Sequence, residues 1–286
     1  MDVIQTSQPL YKELENKPYI CAQVHSIFNS ACNLTSELGL ISVIDETKRM
    51  NPRALMVNDP DWFKDLQVNQ TIELIFNPQQ SGLKRNQLII RPQSVRQFSP
   101  YLSHKIAFTT QIKTAIYNDL YAHQVEMGIY PLLCFSDKLV MSSTVTYYSA
   151  MLSDYFIPKL ITFIDELEKQ SLTIDLNGFV GFGAGLTPSS DDLLVGLLSV
   201  LDVIEHPYFA TLQSACLNAV HKTTDVSGVM LRSACDHQYN QEIVDLYAAV
   251  LNGNPIKNQI DHLLAIGHSS GHDTLCGIYI GLTFFT

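Results

Sequence analysis

The chain has 286 residues, 46% of them apolar, with 28 acidic against 18 basic side chains and a formal net charge of −10. That is enough chain for two domains with full cores, and its scattered cations exclude a nucleic-acid surface, while a locally positive pocket still admits small anions. The start, MDVIQTSQPLYKELENKP, lacks the basic and apolar regions of a signal peptide, and no uncharged apolar run reaches spanning length, so a cytoplasmic protein without a membrane segment is expected. None of the six cysteines (Cys21, Cys32, Cys134, Cys216, Cys235, Cys276) has C-x-x-C spacing, so they read as reduced core residues rather than a zinc ribbon or disulfide framework.

To about residue 100 the chain favours short β-branched or aromatic strands: Tyr19 to Phe28, Leu40 to Ile44, Ala54 to Val57, Thr71 to Phe76 and Gln87 to Arg91. Turn signals at Asn77-Pro78 and Ser81-Gly82 separate them, and a small antiparallel barrel or sandwich is expected. From His104 the period becomes helical. Phe108, Ile112, Ile116 and Leu120 mark one face, and Val145, Tyr148, Leu152, Tyr155 and Phe156 a second, which Pro158 should kink or interrupt. Further helices are expected at about Asp192 to Glu205, Pro207 to Ala219, Gln241 to Leu251, Ile256 to Leu264 and Thr274 to Phe285. The predicted class is α+β: a β-rich domain over 1–100 and a helical domain over 101–286, with the boundary near Ser99-Pro100.

Residues Gly178 to Gly196 read GFVGFGAGLTPSSDDLLVG, a glycine loop that turns into an apolar helix. Thr187 is expected to cap that helix, with Pro188 at its first position. The N–H groups of Ser189, Ser190 and Asp191 would then face outward, where the helix dipole favours an anion, and Gly183 and Gly185 would let the backbone approach it. Asp191 and Asp192 repel an anion unless a cation bridges them, so the site implies either a metal such as Mg²⁺ or a ligand that also donates hydrogen bonds.

Asp192-Leu193-Leu194-Val195-Gly196 has a second copy in Asp273-Thr274-Leu275-Cys276-Gly277: both fit D-x-L-x-G and both open an apolar helix. Ser269, Ser270 and Gly271 precede the second copy, and the spacing of Ser270 to Asp273 also fits an ordinary capping pair. Between the copies lies a hydroxyl-rich turn with Thr223, Thr224 and Ser227, either an oxygen-binding element or a helix cap, with Lys222 and Arg232 as nearby positive charge. His268 and His272 are spaced i,i+4, but Gly271 between them argues against a metal pair. The glycines do not form G-x-G-x-x-G, a P-loop or a G-x-S-x-G elbow, which removes dinucleotide, nucleotide and α/β-hydrolase sites.

The segments GAGLTPSSDDLLVG, TTDVS and GHSSGHDTLCG resemble a bacterial family of unknown-function domains with the signature Gly-Leu-Thr-Pro-x-x-Asp-Asp, which includes the AllH-type subunit of oxamate carbamoyltransferase. The chain departs from the pattern at Ser190, where glycine is common, and at His272, often aromatic. The resemblance implies a subunit that helps convert oxalurate and phosphate to oxamate and carbamoyl phosphate, or the reverse, in allantoin breakdown. Its partners would be a small anionic substrate and other subunits of the complex; homo-oligomers stay open.

Under this expectation Asp191, Asp192 and Asp273 are the catalytic candidates, and Gly183, Gly185, Thr187, Ser189, Ser190, Thr223, Thr224, Ser227, Ser269, Ser270 and Gly271 bind the ligand. Two alternatives remain. One is a hydrolase whose three aspartates hold Mg²⁺ and activate water. The other is a non-catalytic scaffold whose glycines, among them Gly277 and Gly281, serve close helix packing.

Overall fold

The computed structural model describes residues 1–78, 86–103, 105–123, 125, 127–133, 136, 138–139 and 150–286, with the side chains of 150–153 left aside. Within these residues the chain divides into two compact units, Met1–Pro100 and Tyr101–Thr286. The architecture is α+β: a β-barrel unit and a helical unit.

The first unit contains strands β1 (Asp2–Ser7), β2 (Tyr19–Phe28), β3 (Ala31–Ser36), β4 (Gly39–Asp45), β5 (Ala54–Val57), β6 (Thr71–Phe76), β7 (Gln87–Ile90) and β8 (Arg96–Phe98), with helix α1 (Gln8–Asn16) after β1. The sheet order is β5-β4-β3-β2-β6-β7-β1-β8, and an added β5–β1 pairing closes seven of the strands into a barrel, leaving β8 attached to β1. Alternation puts Ile20, Ala22 and Val24 inside and Tyr19, Cys21 and Gln23 outside. Inward residues meet across the register: Ile20 faces Leu74, Leu34 faces Ile41, and Val3 faces Val57 at the closure.

The barrel is not purely antiparallel as expected: β4–β5, β6–β7 and β1–β7 are parallel pairs. β1, β3, β8 and α1 carried no recognised strand or helix signal. β1 (DVIQTS) is half polar, and Ser7, whose hydroxyl accepts the Leu10 N–H at 3.3 Å, ends it and caps α1. Cys21 is exposed, contrary to the core assignment, because it sits on the outer face of β2, whereas Cys32, Cys216, Cys235 and Cys276 are buried and unbridged. Cys134 lies outside the described residues.

The second unit contains α2 (Thr110–Ala122), α3 (Tyr130–Leu133), α4 (Ala150–Glu168), α5 (Ser189–Val203), α6 (Tyr208–Ala219), α7 (Asp225–Cys235), α8 (Gln241–Leu251), α9 (Lys257–Leu264) and α10 (Ser270–Phe285). Pro158 does not interrupt α4, which runs on to Glu168. Of the face expected there, Val145 and Tyr148 lie outside the described residues. Of the two readings of the hydroxyl-rich turn, the helix cap holds: Thr224 accepts the Ser227 N–H at 3.1 Å and caps α7, which begins at Asp225.

Helices α5 and α10 form the centre of this unit. All of α5 except Asp192 and Val195 is buried, as is α10 from Gly271 to Leu282. They cross through glycines. A Cβ on Gly196 would be driven into the Thr274 carbonyl, and one on Gly277 into the Leu193 carbonyl, while Gly281 lies against Val200. Among the described residues, no helix is long and apolar enough to cross a membrane.

Candidate functional site

The three polar segments meet in space, and Asp191 joins two of them. Its Oδ1 accepts the Gly181 N–H at 2.8 Å, and its Oδ2 accepts the hydroxyls of Ser227 at 2.7 Å and of Thr223. A carboxylate with this many donors is a fastener: it ties the glycine loop and the start of α7 to the start of α5. Thr224 adds a hydroxyl bond to the Leu186 carbonyl. Gly181 adopts φ +84°, and a Cβ there would come within 2.6 Å of the Lys222 carbonyl oxygen, so the loop follows this path only with glycine.

The start of α5 differs from the expected anion cradle. Pro188, with φ −55° and ψ 140°, is the residue before the helix, and Thr187 is not its cap. The Ser190 N–H donates to the Phe182 carbonyl at 3.0 Å, and the Asp191 N–H to the Pro188 carbonyl at 3.0 Å, so both are used internally. Ser190 Oγ is also spent on Phe182, accepting its N–H at 3.0 Å. Gly183 packs on Ser189, whereas Gly185 has open space around it and needs only its positive φ of +93°.

Asp192 and Asp273 are placed differently from Asp191. Each is the fourth residue of its helix, and each has an Oδ2 sealed from solvent with no hydrogen-bond partner among the described residues. Asp273 is fully buried, and its Oδ1 accepts the Ile129 N–H at 2.7 Å. Burial pushes the Asp273 carboxyl up to about 7, against the pull of the Ile129 N–H and the hydroxyls of Ser189 and Ser269. Burial also drives Asp192 well above the ordinary carboxylate range; the facing Asp273 adds to this, and the hydroxyls of Ser270 and Thr187 oppose it.

These influences are reciprocal. Ser189, first residue of α5, acts on Asp273 of α10; Ser270, first residue of α10, acts on Asp192 of α5. Thr187 Oγ1 and Ser270 Oγ lie 2.9 Å apart between them. The repeat is therefore longer than D-x-L-x-G: Ser189 to Gly196 and Ser270 to Gly277 both read S-x-x-D-x-L-x-G. That string could have revealed the pairing from the sequence. The capping explanation of Ser270 fails, because the residue before α10 is Ser269 and no side chain caps the helix.

Other candidates fall outside the pair. Lys222 Nζ bonds Asn177 Oδ1 at 2.5 Å, and the Arg232 guanidinium lies by Gly228, so neither brings positive charge to the two aspartates. Gly271 is a packing residue, seated against the Leu263 carbonyl. His268 precedes α10, while His272 sits inside it with Nε2 at 2.7 Å from the His123 carbonyl oxygen, so the two are not a helical metal pair. Among the described residues no three His, Cys, Asp or Glu side chains are grouped to hold a metal ion, as the Mg²⁺ hydrolase alternative requires. A cavity of about 260 Å³ opens elsewhere, lined by Lys159, Thr162, Glu166, Asp175 and Asn177 among others.

The fold and the site define a barrel unit joined in sequence to a helical unit whose two central helices each carry an aspartate with a sealed Oδ2. Residues 2–97 match the family model described as the AllH family N-terminal domain, and residues 179–282 the one described as oxamate carbamoyltransferase subunit AllH. The chain belongs to the AllH family. No solved structure matches it.

Proposed function

We propose that this chain is a subunit of an oxamate carbamoyltransferase-like enzyme, in which oxalurate and phosphate are converted to oxamate and carbamoyl phosphate or the reverse. The observation that carries the proposal is the pair Asp192 and Asp273, each with an unpartnered, sealed Oδ2, inside the segment matched by the AllH subunit model. Unpartnered buried acceptors are costly in a structural role and useful where a ligand supplies N–H donors. A carbamoyl NH2 has two such donors.

The same chemistry assigns parts of the ligand. Two carboxylates do not seat an oxamate carboxylate, so the pair suits the carbamoyl end, with Thr187, Ser189, Ser269 and Ser270 as hydroxyl partners. The anionic end then lies toward the exposed loop around Gly185 or against another subunit, since the enzyme works as a complex. Thr223, Thr224, Ser227 and Asp191 serve by holding the loop. The scaffold alternative is favoured by one observation, the reciprocal glycine crossing, which explains Gly196 and Gly277 but not the unpartnered oxygens. The test is oxalurate phosphorolysis by the reconstituted complex, with Asp192→Asn in this subunit: turnover falls by about 100-fold or more while the melting temperature holds. Unaltered turnover would leave the scaffold.

A further inference from the structure

Asp192 and Asp273 occupy equivalent places in two helices that pack reciprocally. Gly196 lies on Thr274 and Gly277 on Leu193, and the first serine of each helix acts on the aspartate of the other. The charged groups acting on Asp192 are both acids, Asp273 and Asp191, and Asp191 is already committed to Gly181, Thr223 and Ser227. Asp273 is influenced by N–H and hydroxyl donors, from Ile129, Ser189 and Ser269. Of the nearby titratable groups, the Cys276 thiol is buried and pushed up, and the His272 ring faces the His123 carbonyl. Among the described residues, no lysine or arginine is one of the groups acting on either carboxylate. Two facing carboxylates, each with an Oδ2 sealed from solvent and with no cation beside them among the described residues, cannot both be ionised at low cost.

We propose that Asp192 and Asp273 hold one proton between them and use it to pass protons during carbamoyl transfer. The second half rests on the carbamoyltransferase reading. A phosphate oxygen forms a bond to the carbamoyl carbon, and the bond from that carbon to the oxamate nitrogen breaks. The ionised carboxylate takes the proton of the attacking hydrogen phosphate, and the protonated carboxyl gives its own to the departing nitrogen. The pair ends with one proton, its location exchanged, ready for the reverse reaction. Such a division into acid and base arises when environment and mutual repulsion separate two titrations.

The experiment uses the full chain with ¹³C-labelled aspartate and follows the Cγ resonances of Asp192 and Asp273 by NMR as pH is raised. In the unsubstituted protein each resonance moves in two steps shared by both residues, and Asp192→Asn or Asp273→Asn leaves the survivor with one step at lower pH. Independent single steps in the unsubstituted protein overturn the shared proton, and that readout stands even where a variant fails to fold. In the reconstituted complex each Asn variant lowers kcat by about 100-fold or more with a smaller change in KM. Shared titration with unchanged kcat overturns the proton-passing step. Absence of oxalurate turnover by the unsubstituted complex overturns the reaction assignment, leaving the NMR result to decide the shared proton on its own.

Discussion

Gly196 and Gly277 are reciprocal neighbours at the α5–α10 crossing: a Cβ on the first would come within 2.9 Å of the Thr274 carbonyl carbon, and one on the second within 2.8 Å of the Leu193 carbonyl carbon. Each helix thus uses its glycine to admit the backbone of the other. The crossing in turn brings the starts of the helices together, and with them Asp192 and Asp273.

Gly196→Ala and Gly277→Ala are expected to destabilise the helical unit strongly, since the neighbour is buried backbone that cannot rotate away. Overpacking of this kind costs about 3 kcal/mol or more where relaxation is blocked. Thermal unfolding would show a lower transition for each variant. The double variant should lose less than the sum, because one opened crossing accommodates both methyl groups. Two unchanged transitions would refute the packing.

The adjacent aspartates should respond in opposite ways. Asp191→Ala strands the Gly181 N–H and the Thr223 and Ser227 hydroxyls, at a cost of roughly 3 kcal/mol. Asp192→Asn removes a carboxyl whose Oδ2 is sealed from solvent without breaking a bond to that oxygen, so stability is unchanged or raised. Denaturant unfolding of both variants checks the contrast, and equal losses would refute it.

Stability should also depend on pH. The Asp273 carboxyl is raised from 3.8 to about 7 and Asp192 is raised as well, so between these values the folded state binds more protons than the unfolded one. The Asp273 contribution is full below about pH 4 and is lost as pH rises through about 7. The unsubstituted protein should therefore lose a few kcal/mol of helical-unit stability over that window relative to Asp273→Asn. A difference that is flat with pH, or grows in the other direction, would contradict the assignment.

The loop glycines separate sterically. Gly185→Ala meets open space and bears only the strain of its positive φ, about 1 kcal/mol, whereas Gly181→Ala also meets the Lys222 carbonyl. The melting temperature should fall further for Gly181→Ala. The reverse order would mean that the loop follows a different path.

The elements with one strong period were legible in the sequence. Strand β2 and helix α8 have the expected limits, because alternation in the one and a 3.6-residue apolar repeat in the other are set by side chains within a single element. Strands β1 and β8 were not legible, since their pairing is supplied by distant strands. Helix α7 was legible only as one of two readings, because its polar start, TTDVS, reads equally as a ligand-binding turn until Thr224 is seen to cap it.

The same division holds at the site. The sequence by itself singled out the glycine loop, TTDVS and the second aspartate motif, because clustered glycines and acids are poor folding material elsewhere. Only the tertiary structure decided how the acids divide: Asp191 is surrounded by donors from Gly181, Thr223 and Ser227, while Asp192 faces Asp273 across the helix crossing. Adjacent residues on a helix point about 100° apart. What each meets is therefore set by the helices packed around α5, and no local pattern contains that information.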